Sequence, residues 1–188
     1  MIQVRLATAD DAEELSRLNQ RFNGGERRPA EAIAASMGKS GERIAVATLN
    51  GSVVGFACAQ CFESFCYPDA MGEITELYVE ESARGMGAAS SLIALLEEHL
   101  QASGAREIKV LTAAGNGAAL KTYGRCGYTL DDDVLLRKKS EEKRNRSESE
   151  QRRNCDRHRR RRLPYASDGC GNERPGARLC REGRILHP

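Results

Sequence analysis

Glu73-Ile-Thr-Glu-Leu-Tyr-Val79 followed by Arg84-Gly-Met-Gly-Ala-Ala89 is the stretch that decides the fold. The first string alternates as a strand does, and the second is a glycine-rich turn. From that turn an apolar stripe at helical spacing (Ala88, Leu92, Leu95, Leu96, Leu100) runs toward Gly104, which ends the helix. A helix leaves its first N–H groups without intrahelical partners, and the positive end of its dipole lies beside them. Strand, turn and helix start therefore form a cradle for an anion such as a phosphate group. Gly85 and Gly87 let that anion approach the main chain without a Cβ in the way.

On the N-terminal side, Ile2 to Leu6 alternates and reads as a strand, and Thr8 with Asp11 three residues on reads as the start of a helix reaching about Arg21. Asn23-Gly24-Gly25 stops that helix, and Pro29 opens a short second one to about Met37. Ile44 to Leu49 and Val53 to Cys61, joined by Asn50-Gly51, predict a β-hairpin with a type I′ turn. On the C-terminal side the pattern predicts a strand over Ile108 to Thr112, a short helix over Asn116 to Cys126, and a last strand over Val134 to Arg137 after the acidic turn Asp131-Asp132-Asp133. The resulting order, β α α β β β α β α β, is a mixed α/β domain whose strand–helix–strand unit should cross over right-handed.

Charge divides the chain. Residues 140–188 hold 14 Lys+Arg against 8 Asp+Glu, a net of +6, whereas residues 1–139 hold 15 against 19, a net of −4. Two regions follow: a folded domain over 1–139, and a basic, low-complexity tail over 140–188 too poor in apolar residues to offset its ordering entropy and predicted to be disordered. Arg5, Asp10, Asp11, Glu13 and Glu14 break up any apolar leader, and no apolar run approaches a membrane span. A cytoplasmic protein with reduced thiols and no membrane partner is expected. Cys58 and Cys61 lie three apart on a strand and so face opposite sides, and the other cysteines have irregular spacing, so no metal site is expected.

Arg84-x-x-Gly87-x-Ala89, together with Asn116-x-x-Ala119-x-x-x-Tyr123-x-x-x-Gly127-Tyr128, resembles the GCN5-related N-acetyltransferases, the GNAT superfamily. The first string is similar to that family's pyrophosphate loop and the second to its late helix, and the strand before the loop is in the same style. The resemblance covers about residues 2–139 and not the tail. It implies a mixed, mostly antiparallel central sheet, splayed between its central strands and flanked by helices. It further implies acetyl-CoA as cosubstrate and an acetyl group moved to a primary amine.

In such enzymes the main chain of the strand before the loop pairs with the pantetheine arm, which implies Leu77, Tyr78 and Val79 here. The loop amides of Arg84, Gly85, Met86, Gly87, Ala88 and Ala89 would take the pyrophosphate, and Asn116 would bond the cofactor arm, serve as a helix N-cap, or do both. The chemistry asks for a base for the amine, a donor to the carbonyl oxygen (the Val79 N–H by position) and an acid for the leaving sulfur. Tyr123 is the favoured acid, with a packing aromatic as its plainer reading. Glu73 and Glu76 are the base candidates: the resemblance favours Glu73, and Glu76, nearer the loop, has the alternative role of binding a cationic acceptor. Three apart, they should face opposite sides of a regular strand, and each also reads as a solvated carboxylate.

The resemblance places the acceptor between two walls, Phe22 to Pro29 and Phe62 to Gly72. The second wall's Glu63, Phe65, Tyr67 and Asp69 would suit a cationic amine: a polyamine, an aminoglycoside or an exposed protein amine. Many relatives are dimers, so a homodimer is a possible partner. The tail supports a competing reading, an acyl-CoA-binding module attached to nucleic acid through the basic run from Arg157 to Arg162. No aromatic residues interleave with those arginines, which disfavours base stacking, and the tail equally has the look of a sequence translated out of frame.

Overall fold

The computed structural model describes residues 1–138, of which Met1–Asp133 form one compact unit. Five strands make a single sheet in the order β1 (Ile2–Leu6), β2 (Arg43–Leu49), β3 (Ser52–Phe62), β4 (Ala70–Val79) and β5 (Ala105–Val110). The first four run antiparallel and the last pair runs parallel. The helices are α1 (Ala12–Asn23), α2 (Ala30–Met37), α3 (Ala88–Ala102) and α4 (Gly117–Arg125). This is the mixed, mostly antiparallel α/β architecture expected from the pattern, with α3 forming the connection that parallel strands require.

Both faces of the sheet are covered. On one side Leu92, Ile93, Leu96 and Leu100 of α3 are fully buried, and the sheet meets them with small residues, Ala45, Ala47, Ala57 and Ala59. On the other side Leu15 and Leu18 of α1 and Ile33 of α2 pack on larger ones, Val46, Phe56 and Cys58. The hairpin turn has φ of 53° at Asn50 and 84° at Gly51, both positive as a type I′ turn demands. At the start of α1 the helix begins later than its Thr8 signal. A 3₁₀ turn, Ala9–Asp11, comes first, and Asp11 accepts from Thr8 N at 2.8 Å and from both Arg5 guanidinium ends at 2.7 Å.

Two features of β4 position the site. Cys58 pairs with Glu76 but Ala59 pairs with Ile74, so Thr75 is an extra residue bulged out of the ladder. Strand β5 pairs with β4 only as far as Ile74, and from Thr75 to Val79 that edge of β4 has no strand beside it. The two parallel strands part there, which is the splay expected in the centre of the sheet.

The expected last strand does not form. Val134, Leu135 and Leu136 carry no strand assignment and are exposed. The run is not alternating, and three aspartates precede it. A short segment orders as a strand only when a neighbour supplies its backbone partners. The expected disorder of the tail and its nucleic-acid run at Arg157 lie outside the described residues. Among the described residues, no helix is long and apolar enough to cross a membrane.

Candidate active site

The turn after β4 has the form that the glycine spacing predicts. A 3₁₀ turn (Glu81–Ala83) leads into Gly85 and Gly87, at φ of 75° and 84°, and Gly87 is the N-cap of α3. The first amide to find a carbonyl is that of Ser91, which donates to Gly87 O at 3.0 Å. The N–H groups of Gly85, Met86, Gly87, Ala88, Ala89 and Ser90 have no such partner, and they gather at the positive end of a 15-residue helix. Arg84 Nε turns back to donate to Val79 O at 3.2 Å, tying the loop to the strand end.

Glu80 anchors the same junction from beneath. It is buried and ion-pairs with Arg17 at 2.5 Å and with Arg21, both on α1, while its N–H donates to Val54 O at 2.8 Å. That bond fixes the direction of each peptide in the strand. The Glu80 main chain faces β3. Tyr78 must then face β3 too, and a Cβ at Gly55 would fall 2.8 Å from its carbonyl oxygen. Leu77 and Val79 face the open gap. Of the three residues expected to pair with a cofactor arm, Tyr78 is therefore committed to the sheet. Leu77 and the Val79 N–H remain free, the Val79 carbonyl being taken by Arg84.

The bulge also corrects the expected arrangement of the two glutamates. Gln60 and Cys58 lie two apart on β3 and share a face; Gln60 pairs with Glu73 and Cys58 with Glu76. The extra residue at Thr75 resets the alternation, so Glu73 and Glu76 both lie on the face covered by α1 and α2. Only Glu76 lines the cavity of about 170 Å³ that opens there between those helices and the sheet. Partial burial, reinforced by the Glu42 carboxylate, holds the Glu76 carboxyl above the usual glutamate range. Glu42, which sequence reasoning missed, stands just before β2 and accepts from Thr75 Oγ1 at 3.3 Å. Burial, then the charges of Glu42 and Glu76, push the Cys58 thiol up, so it stays protonated in the cavity wall.

Tyr123 is buried on the opposite face, packed edge-on against Tyr128 with ring centroids 5.7 Å apart. Burial raises its pKa, with Cys126 and then Glu76 adding to the effect. Asn116 is the N-cap of α4, its Oδ1 accepting from Ala119 N at 3.2 Å. The capping role is thus present, and its amide nitrogen is left over. Cys58 and Cys61 do face opposite sides: Cys58 lines the cavity, whereas Cys61 packs against the α3 side.

One expected wall forms and the other does not. Asn23, at the end of α1, and Arg28, from the segment between α1 and α2, line the cavity with Glu42 and Glu76. Glu63, Phe65, Tyr67 and Asp69 instead line a surface hollow beside the C-terminal end of α3, where Asp69 reaches Arg106 at 3.6 Å. Asp69 and Glu76 are seven residues apart along an extended strand, roughly 20 Å at about 3.3 Å per residue. Replacing Glu63 and Asp69 by amides is therefore expected to leave an amine's KM within twofold. An amine held by the cavity carboxylates would lose a charge-assisted bond of roughly 1.5 kcal/mol or more in Glu42→Gln, a rise of about tenfold in its KM. Steady-state kinetics on the two variants checks both.

The model of the acetyltransferase (GNAT) family matches residues 10–128. An acetyltransferase of Sodalis glossinidius is 29% identical over 141 residues, covering 72% of this chain and 92% of that protein. Among solved structures, the chain is similar to an aminoglycoside acetyltransferase from an uncultured soil metagenomic sample, at TM-score 0.66 and 16% identity, over 75% of this chain and 97% of the other. It is also similar to a ribosomal-protein-alanine N-acetyltransferase from Brucella melitensis biovar Abortus 2308, at TM-score 0.64 and 18% identity, over 74% and 100%. At such identities the likeness is one of fold, and the two names show how different the acceptors on that fold can be.

Proposed function

Because the chain belongs to the acetyltransferase (GNAT) family, and is an acetyl-CoA-dependent enzyme acting on an amine, we propose that thioester and amine meet at Glu76, one from each face of the sheet. The observation that carries this is the coincidence, on one strand, of an unpaired edge from Thr75 to Val79 and a cavity that opens onto Glu76.

Acetyl-CoA supplies an activated thioester; the residues of this chain do the rest. The amides from Gly85 to Ser90 grip the diphosphate. Leu77 and the Val79 N–H hold the arm along the open edge of β4, and the Val79 N–H donates to the carbonyl oxygen as charge builds on it. The leftover amide nitrogen of Asn116 bonds the arm from the other side. Glu76 takes a proton from the incoming ammonium, since only the neutral amine attacks. Tyr123 donates toward the sulfur as its bond to carbon breaks. Glu73, on the same face but outside the cavity, has no part in proton transfer. Residues 1–139 form the transferase domain and 140–188 stand outside it.

The acceptor is a primary amine; polyamines, aminoglycosides and exposed protein amines are the classes against which the panel compares other small amines. Two carboxylates in the cavity favour a cation, and a volume of about 170 Å³ favours a small one. Full-length protein incubated with acetyl-CoA, a panel of amines and a thiol reagent tests the reading: free CoA should appear with at least one amine and depend on its concentration. Two further results are expected. Gly87→Val places a β-branched residue at a φ of 84° and should weaken acetyl-CoA binding at least tenfold by titration calorimetry without changing the amine's KM. Removing residues 140–188 should leave CoA release within twofold.

A further inference from the structure

The charges in the cavity are divided between its walls. The sheet side carries Glu42 and Glu76, while the helix side carries one cation, Arg28, whose Nη2 donates to Ser36 Oγ at 3.2 Å. Among the described residues none of these three makes an ion pair: Arg28 meets no carboxylate, and neither glutamate meets a cation. Other arginines of the same helical layer do pair, Arg17 and Arg21 with Glu80 and Arg27 with Glu13. Unpaired charge of opposite sign on facing walls is complementary to a molecule that carries both signs, one at each end.

Size narrows the class. Pockets for drug-sized ligands begin at roughly 300 Å³, well above the 170 Å³ found here. That smaller volume is the scale of a free amino acid rather than of a larger ligand. A polyamine or an aminoglycoside would answer the two carboxylates and leave Arg28 unmatched.

We propose that the acceptor is an aminocarboxylate the size of a free amino acid, its amine lying between Glu42 and Glu76 and its carboxylate on Arg28 and Ser36. This rests on the reading of the cavity as the amine site. The guanidinium fork can take a carboxylate through two parallel N–H bonds, with the Ser36 hydroxyl as a further donor. The amine arrives as an ammonium and loses two protons on the way to the amide: one to Glu76 before attack, and one, once the N–C bond has formed, that ends on the departing sulfur as the C–S bond breaks.

The test compares free amino acids with their carboxamides and with the matching decarboxylated amines, using full-length protein, saturating acetyl-CoA and release of free CoA as the readout. For the best acceptor, kcat/KM should exceed that of its carboxamide at least tenfold. In Arg28→Gln the ratio should collapse to near one, while Arg28→Lys retains part of it. Carboxamides, decarboxylated amines or polyamines used as well as the amino acids would overturn the proposal, as would a ratio unchanged in Arg28→Gln. Those results leave the amine cavity standing. If acetyl-CoA binds but no amine in the panel releases CoA, the cavity assignment falls with it. The wild-type ratio decides the matter even where a variant fails to fold.

Discussion

Glu76→Gln is expected to lower kcat by about a hundredfold or more, the usual contribution of a positioned general base, with acetyl-CoA affinity unchanged. The amide keeps the size of the side chain and removes only its ability to take a proton. Its surroundings also set the pH dependence. Partial burial and the like charge of Glu42 hold the Glu76 carboxyl above the usual range, so the acid limb of kcat/KM should lie above the ordinary glutamate value. Glu42→Gln removes the repulsion and makes Glu76 easier to ionise. The limb should then move to lower pH even as the amine's KM rises. A limb that stays in place in Glu42→Gln would mean that another group titrates.

Tyr123→Phe should cost about a hundredfold in kcat, with little change in either KM. The phenol is buried, and burial, Cys126 and Glu76 all raise its pKa, so it remains protonated throughout the neutral range. A phenol so raised is a weaker acid than a departing thiol of ordinary pKa near 8.5. Its contribution therefore lies in donating to the sulfur while charge develops, before a free thiolate exists. Protonated tyrosine across neutral pH also means no basic limb from this residue below pH 10. A Tyr123→Phe enzyme with wild-type kcat would reduce the residue to a packing partner of Tyr128.

The phosphate cradle was legible because the period of the hydrophobic pattern changes from two to 3.6 across Gly85 and Gly87, and few structures satisfy both flanks. The hairpin was legible for a similarly local reason, the positive φ that Asn50-Gly51 allows. What could not be read was the bulge at Thr75. No glycine marks it, and a regular alternation assigned Glu73 and Glu76 to opposite faces when one inserted residue brings them to the same one. The cavity was hidden for a different reason. Glu42, Arg28 and Glu76 come from a strand entrance, an inter-helix segment and a mid-strand position, and only the packing of α1 and α2 on the sheet joins them. Glu63 and Asp69 misled in the opposite sense: their composition suited a cation, but their end of β4 is the far one. Val134 to Leu136 read as a strand but carry no strand assignment.

The central claim is that two sites on opposite faces of the sheet meet at one point on β4. A conjugate of CoA joined through its sulfur, by a two-carbon acyl bridge, to the best amine of the panel tests it most directly. Inhibition by this compound should be competitive against acetyl-CoA and competitive against the amine, with an affinity exceeding that of either alone. A conjugate that binds no more tightly than CoA alone would place the two substrates apart and contradict the account.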